Sequence, residues 1–483
     1  MTDMTYTEPR QTGHTAGTHP RTRTPDLHLD LDLHSRRGRS DQLAAALRRA
    51  IEAGRLLPGT RLPSTRSAAT DLGVARGTVV SAYHHLIAEG YLETARGSGT
   101  RVLPSMTKPP RHKPEPVRER NPWRYDFRPG APDMTLFPRT AWVKATQRVL
   151  QTTPAEALGY GDPRGRPELR WALADYLGRS RGVVTHPDRI VICHGFTQAL
   201  GLIASVLAEN GVDAMSVEDP GYPHFRDVVR LAGLNTHAVE VDADGLRPEG
   251  LRGRAAVVTP IHQYPLGVPL SAERRKALVS WAEAADAVIV EDDYDGEFQY
   301  GPQKVGALQA AAPHRVIYAG TTSKTLAPGI RLAWLVVPPD WVERITNAKR
   351  VADHHSTALT QMIVADLLLS GAYDQHIRNC RDQYRMRREQ LGEVLAAVAP
   401  AAWLMSENRG LHASILWSPD GPAEREVLQA ARAESLALAG LGSYWGSPGG
   451  HPPGLVIGYA TPPRHAYAET LNALARVLDR HFR

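Results

Sequence analysis

Apolar residues along the chain fall into two rhythms, separated by a stretch that has neither. Leu43, Leu47, Ala50 and Ile51 recur at helical spacing, the mark of one buried helix face. This predicts a first helix with Ser40 or Asp41 as N-cap and Gly54 stopping it. The run Leu57-Pro58-Gly59-Thr60-Arg61-Leu62-Pro63 is turn-rich. Ser64 then caps a second helix with Ser67, Ala68 and Leu72 inward, ending at Gly73. A third spans residues 75–89, with Val79, Tyr83, Leu86 and Ile87 inward and Gly90 closing it. Three short helices with a tight turn at Gly73-Val74 make a helix-turn-helix. Residues 91–103 follow as two short strands around a Gly-rich tip, a wing.

The second rhythm begins near residue 124. Short uninterrupted apolar runs at 190–192, 214–217, 255–258, 287–290, 315–319 and 332–337 alternate with helical stretches at 198–210, 222–231 and 273–284. Such strands lie buried on both faces of a largely parallel sheet, and ligands gather at their ends. From about residue 339 long helices dominate, including an Arg-rich one at 374–398. A last α+β segment carries apolar runs at 411–415 and 454–459. The expected fold is α/β: an N-terminal winged helix-turn-helix, then a body with a large parallel-sheet core and a smaller C-terminal α+β part.

Six prolines fall within residues 104–122. That stretch forms neither a helix nor a central strand, and is a semi-extended linker reaching on the order of 50 Å if polyproline-like. Residues 1–30 are rich in Thr, Pro and His without apolar periodicity, and read as a disordered tail. The expected divisions are 1–30 tail, 31–103 winged helix, 104–123 linker and 124–483 body.

Bulk composition narrows the classes. A chain of 483 residues exceeds one ordinary core. No apolar run approaches the roughly 20 residues of a bilayer span, and the N-terminus is not signal-like. Cys193 and Cys380 are the only cysteines, which argues against a disulfide framework and for a cytoplasmic setting. Residues 1–123 hold 19 Lys and Arg against 12 Asp and Glu, a net of +7, while the rest hold 38 against 39. The basic excess is that of a nucleic-acid module on a nearly neutral body.

Within that module, Arg76 and Thr78 fall in the first turn of the third helix, where a recognition helix meets base edges in the major groove. Arg66 and Arg61 are set to meet backbone phosphate, and Arg96 and Gly97 at the wing tip to approach the minor groove. A basic hairpin used for protein contacts is the competing reading.

In the body, Lys324 lies among hydroxyls between two core strands, seven residues ahead of Arg331. This suits an aldehyde cofactor. Lys324 would form a Schiff base with pyridoxal phosphate, Thr321 and Ser323 would hydrogen-bond its phosphate, and Arg331 would reach the same dianion. Taken alone the stretch also fits a surface loop with a solvated lysine. Asp292 ends a strand in Glu291-Asp292-Asp293-Tyr294-Asp295, where a carboxylate holds a pyridine nitrogen protonated. Tyr294, on the same face, would donate to the ring oxygen. The alternative of a divalent metal at these acids lacks a second acidic cluster or a confirming histidine. The N–H groups of Phe196 and Thr197 open a helix and would cradle phosphate. Tyr222 would stack on the ring or sit in the core. His262 or Gln263 would touch cofactor or effector, with the choice between them open.

Residues 38–103, through GRLLPGTRLPSTRSAATDLGVARGTVVSAYHHLIAEGYLETARGSGTRV, closely resemble the winged helix of GntR-type transcription regulators. The resemblance implies double-stranded operator DNA as partner, with contacts at Arg66, Arg76, Thr78, Arg96 and Gly97. Val80 stands where relatives carry a third arginine. The body, through DFRPGAPDMTLFP, YGDPRGRPELRWALADYL, VEDPGY, EDDYDGEF and TTSKTLAPGIRLAW, resembles a fold-type I aminotransferase. Residues 31–483 together resemble the MocR family, in which the two are fused.

That resemblance implies pyridoxal phosphate on Lys324, Asp292 at the pyridine nitrogen, Tyr294 at the ring oxygen and Tyr222 stacking, with Thr197, Ser323 and Arg331 on the phosphate. It implies a head-to-tail homodimer in which Tyr160 reaches the neighbouring subunit's phosphate. Val456 departs from the pattern: aminotransferases carry a carboxylate-binding arginine there, with Arg464 or Arg409 as candidates to replace it. The expected function is a transcription regulator that senses pyridoxal phosphate or its adduct with an amine and controls vitamin B6 synthesis, the body acting as sensor rather than enzyme. The alternatives are control of an amino-acid or amine pathway, or a working aminotransferase.

Replacing Arg76 with alanine is expected to weaken operator binding by about 1–3 kcal/mol and relax specificity, with cofactor binding intact. Electrophoretic mobility shifts on operator and scrambled DNA check this; unchanged binding to every sequence would misplace the recognition helix.

Overall fold

In a computed structural model of the chain, which describes residues 38–95, 99–103, 122–301, 304–405 and 408–482, the helical stripe of the head forms α1 (Arg39–Glu52), α2 (Thr65–Asp71) and α3 (Arg76–Ala88). Leu43, Leu47, Val79, Tyr83 and Leu86 close a small core with Leu92 and Val102. The latter two come from β1 (Leu92–Ala95) and β2 (Gly99–Val102), the antiparallel wing. Helix α1 starts ahead of both expected caps, behind Gly38 and without a side-chain cap. Asp41 lies within its first turn, where its charge faces the positive end of the helix. Ser64 does cap α2, accepting from the Ser67 N–H at 3.1 Å. Ser67 itself is exposed and Ala69 joins Ala68 on the inner face of a helix barely two turns long. The expected tail at 1–30, the wing-tip residues Arg96 and Gly97, and most of the expected linker lie outside the described residues.

The chain divides into two units, residues 1–120 and 121–483. The second opens with β3 (Tyr125–Asp126), α4 (Arg139–Thr152) and α5 (Pro167–Arg181). Strand and helix then alternate through β4 (Ile190–Cys193), α6 (Phe196–Glu209), β5 (Ala214–Asp219), α7 (Pro223–Leu231), β6 (Asn235–Asp242), β7 (Gly245–Leu246), β8 (Ala255–Val258) and α8 (Ala272–Ala284). Next come β9 (Val288–Asp292), β10 (Val316–Thr321), β11 (Ala333–Val336) and the helices α9 (Val342–Asp353), α10 (Ala358–Leu369) and α11 (Ala372–Val398). The last part holds β12 (Ala402–Leu404), β13 (Ala413–Trp417), α12 (Glu424–Ala433), β14 (Leu436–Ala437), β15 (Ala439–Gly440), β16 (Gly454–Ile457) and α13 (Tyr467–Phe482).

Eight strands pair in the order β4-β11-β10-β9-β8-β5-β6-β7, and from β10 to β6 every pairing is parallel. The sheet is nevertheless mixed rather than simply parallel, because β11 runs antiparallel to both β10 and β4, and β7 folds back on β6. No α-helix separates β10 from β11, and a chain returning without a crossover helix comes back antiparallel. That return holds the turn bearing Lys324. Gly320 is required beside it: a Cβ there would stand 2.4 Å from the indole of Trp334, which is buried in the body's hydrophobic core. A smaller sheet, β12-β13-β16-β15, forms the C-terminal part. Among the described residues no helix is long and apolar enough to cross a membrane.

The Arg-rich helix α11 is not simply a solvated face. Arg387 is buried, pairs with Asp133 at 2.7 Å and donates to the carbonyls of Ala460 (3.0 Å) and Pro462 (2.9 Å). It thereby ties the entry segment, the long helix and the C-terminal part together. Arg387→Ala leaves Asp133 buried without its cation, and is expected to destabilise the body by about 3–5 kcal/mol, read as a fall in the urea midpoint of its unfolding.

Candidate functional site

In the head, Arg76 is the first residue of α3 and Thr78 the third. Arg76 is exposed and shares a shallow hollow with Arg66, Thr70 and Gly73. Arg61 bridges to Arg101 on β2, so it belongs to the root of the wing. Helix α3 begins without a side-chain cap, leaving its first N–H groups open toward a phosphate.

In the body, a cavity of about 260 Å³ lies at the ends of β9 and β10 and the start of α6. It gathers Phe196, Thr197, Tyr222, Asp292, Tyr294, Thr321, Ser323, Lys324 and Arg331. Tyr160 is the one expected cofactor residue absent from it. It is 85% exposed and rests on the rings of His354 and His355, so it does not serve the cavity of its own chain.

One end is built for an anion. Helix α6 starts at Phe196 behind Gly195, whose φ is +102°. A Cβ on Gly195 would stand 2.6 Å from the Arg331 guanidinium, which donates to the His194 carbonyl at 2.6 Å. Arg331 itself takes a left-handed backbone, φ +54°. Ser323 Oγ sits 2.9 Å from Thr321 Oγ1, and Thr197 Oγ1 lies 3.2 Å from His224 Nε2. Thr321 also bonds the Leu332 carbonyl at 3.2 Å, so its hydroxyl braces the turn as well as facing the cavity.

At the centre, the Lys324 amine donates to the Gly130 carbonyl at 2.6 Å. Burial holds it below the ordinary lysine range, opposed by Asp292 and Asp295. Burial drives the Asp292 carboxyl well above its usual range, against the pull of Lys324. Its Oδ1 is buried without a hydrogen-bond partner. An unpaired buried carboxyl is costly, and a protonated ring nitrogen is the partner it lacks. Tyr294 lines the cavity, with its hydroxyl donating to the His262 carbonyl at 2.8 Å; serving a ring oxygen requires that proton to turn. Tyr222, half exposed, meets Tyr264 edge to face at 5.6 Å. The unpaired Asp292 oxygen, the amine beside it and the guanidinium over Gly195 together fit pyridoxal phosphate.

Neither candidate at the 259–267 turn lines the cavity. Gln263 is spent on Glu218 and on the carbonyls of Pro220 and Tyr264. His262 instead bonds Asp295, Nδ1 to Oδ2 at 2.9 Å, and backs Tyr294. Burial lowers His262 to about 3, helped by Arg409 and Arg388, and raises Asp295 to about 7. The sequence shows no histidine near these acids, yet His262 and His412 both reach Asp295 in the fold. Lining residues that sequence reasoning missed include Gly130, Tyr264, Leu411 and His412. They arrive from turns far apart in the chain, and only the motif stretches around Gly130 and Tyr264 hinted at them.

Val456 is fully buried in β16, opposite Ser414. Neither proposed substitute enters the cavity: Arg464 is exposed beside another hollow, and Arg409 donates to the Ile261 carbonyl at 3.3 Å.

Residues 39–102 match the family model described as bacterial regulatory proteins, gntR family, and residues 130–439 match aminotransferase class I and II. Over 441 residues the chain is 36% identical to the HTH-type pyridoxine biosynthesis transcriptional regulator PdxR of Corynebacterium glutamicum, covering 90% of this chain and 95% of that protein. It is 33% identical to the probable rhizopine catabolism regulatory protein MocR of Rhizobium meliloti, covering 93% and 94%. Among solved structures, the α-aminoadipate aminotransferase LysN of Thermus thermophilus aligns with a TM-score of 0.66 at 27% identity, over 74% of this chain and 92% of that one.

Gly195→Ala strains the backbone and pushes the guanidinium aside. Retention of pyridoxal phosphate is expected to fall by about 1–3 kcal/mol, measured by equilibrium titration of the cofactor's absorbance. Unchanged retention would place the phosphate away from Arg331.

Proposed function

The chain belongs to the MocR-type transcription regulators, and from that premise we propose that it senses pyridoxal phosphate, free or joined to an amine, and thereby controls genes of vitamin B6 synthesis. The observation that carries the reading is the Asp292 oxygen buried without a partner, in a cavity shared with Lys324 and Arg331. Bound there, the group supplies an aldehyde on an electron-withdrawing ring. Lys324 would hold that aldehyde through its amine, which burial disposes to give up its proton. Asp292 holds a proton at the ring nitrogen. Arg331, Ser323, Thr321, Thr197 and the N–H groups of Phe196 and Thr197 hold the phosphate. Tyr222 stacks on the ring and Tyr294 serves its oxygen. Tyr160, exposed on its own chain, reaches the partner's phosphate in a head-to-tail homodimer.

Regulation then requires the ligand to bind two arrangements of that dimer unequally, each with its own hold on operator DNA through Arg66, Arg76, Thr78 and Arg61, with Arg96 and Gly97 at the wing tip. The likeness to a regulator of pyridoxine biosynthesis supports vitamin B6 genes as the target. The likeness to a solved aminotransferase supports a second reading, catalysis of transamination. Val456 weighs against it, since no arginine takes its place among the described lining residues.

Borohydride treatment of the cofactor-loaded protein is expected to tag the peptide containing Lys324, and Lys324→Ala to abolish both the tag and the visible absorbance band. Pyridoxal phosphate is expected to change operator affinity at least tenfold, about 1.4 kcal/mol, without rapid turnover of amino-acid donors. A tag elsewhere, or operator binding indifferent to the cofactor, would overturn the proposal; rapid turnover would favour the enzyme.

A further inference from the structure

The guanidinium at the anion end is held by a neutral group. Arg331 donates to the His194 carbonyl at 2.6 Å, and among the described residues no carboxylate pairs with it. Its charge is left for a ligand, and its aim is set by the peptide that carries that carbonyl. His194 is gripped twice. Its N–H donates to Gln198 Oε1 at 2.8 Å, and its Nδ1 donates to Asp353 Oδ2 at 3.0 Å, since a carboxylate only accepts. Gln198 Nε2 donates to the same Asp353 oxygen at 2.6 Å, so one orientation of the amide serves both. Lys349, 0% exposed, reaches both Asp353 oxygens at 2.7 Å. Burial works against the charge on Asp353, yet the bonds from Lys349 and Gln198 hold its carboxyl below the usual range. Asp353 is the last residue of α9, and the chain leaves it through a strained turn: His354 takes φ +65° and ψ −64°, and the His355 N–H donates back to the Asp353 carbonyl at 2.7 Å. A γ-turn of this hand is rare and persists where its surroundings over-determine it; here the three donors fix the place of Asp353.

Resting on the reading that the cofactor's phosphate lies at Arg331, we infer that Asp353 is a positioning residue for phosphate recognition. It does not line the cavity and acts through His194: the carboxylate and Gln198 fix the His194 peptide, and its carbonyl aims the Arg331 guanidinium beside Gly195 at the start of α6. With Asp353 gone, Arg331 is still present but no longer aimed. The loss then falls on the phosphate alone, because the aldehyde and the ring nitrogen are met by Lys324 and Asp292 at the other end of the cavity.

Parallel titrations of the cofactor-free full chain with pyridoxal phosphate and with pyridoxal, which lacks only the phosphate, test this through the visible absorbance band. Two variants are compared with the wild type. Asp353→Asn removes the charge but leaves Lys349 buried without its anion; Asp353→Leu combined with Lys349→Met replaces the whole pair by apolar groups, a change that buried ion pairs commonly tolerate. Each is expected to raise the half-saturating concentration of pyridoxal phosphate about tenfold or more, the scale of one charge-assisted hydrogen bond, and to leave that of pyridoxal within about twofold. A variant that binds pyridoxal phosphate as the wild type does overturns the inference, and so does one that loses both compounds in equal measure, since the network would then be merely structural. If Asp353→Asn does not fold, the double replacement decides. A wild-type chain that forms no band with pyridoxal phosphate, or forms one without preferring it to pyridoxal, removes the reading beneath and the inference with it; a preference intact in the wild type and unchanged in the variants defeats this inference alone.

Discussion

The parallel pairing of β9 with β10 is the constraint on which the body's cavity depends. Asp292, the last residue of β9, stands in register with Ala319 on β10, and Lys324 follows on the turn that β10 feeds. A carboxyl and an amine, 32 positions apart in the chain, are thereby delivered to one end of the sheet and buried together. Each opposes the desolvation of the other, yet the Asp292 Oδ1 still has no hydrogen-bond partner. A site left in this state is costly in itself and is relieved by a ligand that brings a donor.

The acids around it show how a strand end sorts its side chains. Asp292 and Tyr294 face the cavity, while Asp293 between them turns to Arg181 and Tyr318, at 2.8 Å each. Glu291 accepts the N–H groups of Leu308 and Gln309. Alternation with period two does this work, and the residues facing away from the cavity find partners that hold the strand end rigid. Buried ion pairs such as Arg181 with Asp293 and Arg387 with Asp133 add little net stability over apolar packing, but leave few other arrangements open.

The head depends on simpler physics. A small core of Leu, Val and Ala with Tyr83 holds α3 against α1, and the exposed arginines sit outside it. Arg48 on α1 pairs with Glu89 at the end of α3, while Arg66 and Arg76 are exposed and can be spent on a polyanion.

Sequence alone determined the elements whose signals are local. Uninterrupted apolar runs marked strands, periodic leucines and valines marked helices, and residues at strand ends such as Asp292, Lys324 and Thr197 could be assigned to the cavity because the strands themselves were visible. The cap of α1 was less legible than Ser64 at α2, as Gly38 shows, since a helix boundary is decided by a few tenths of a kcal/mol. Only the tertiary structure decided that β11 runs against its neighbours, that His262 stands behind Tyr294 and not on the cavity wall, that Arg387 is buried, and that His412 reaches the cavity. Those outcomes depend on which distant segments pack together, and neither hydrophobic period nor residue type carries that information along the chain.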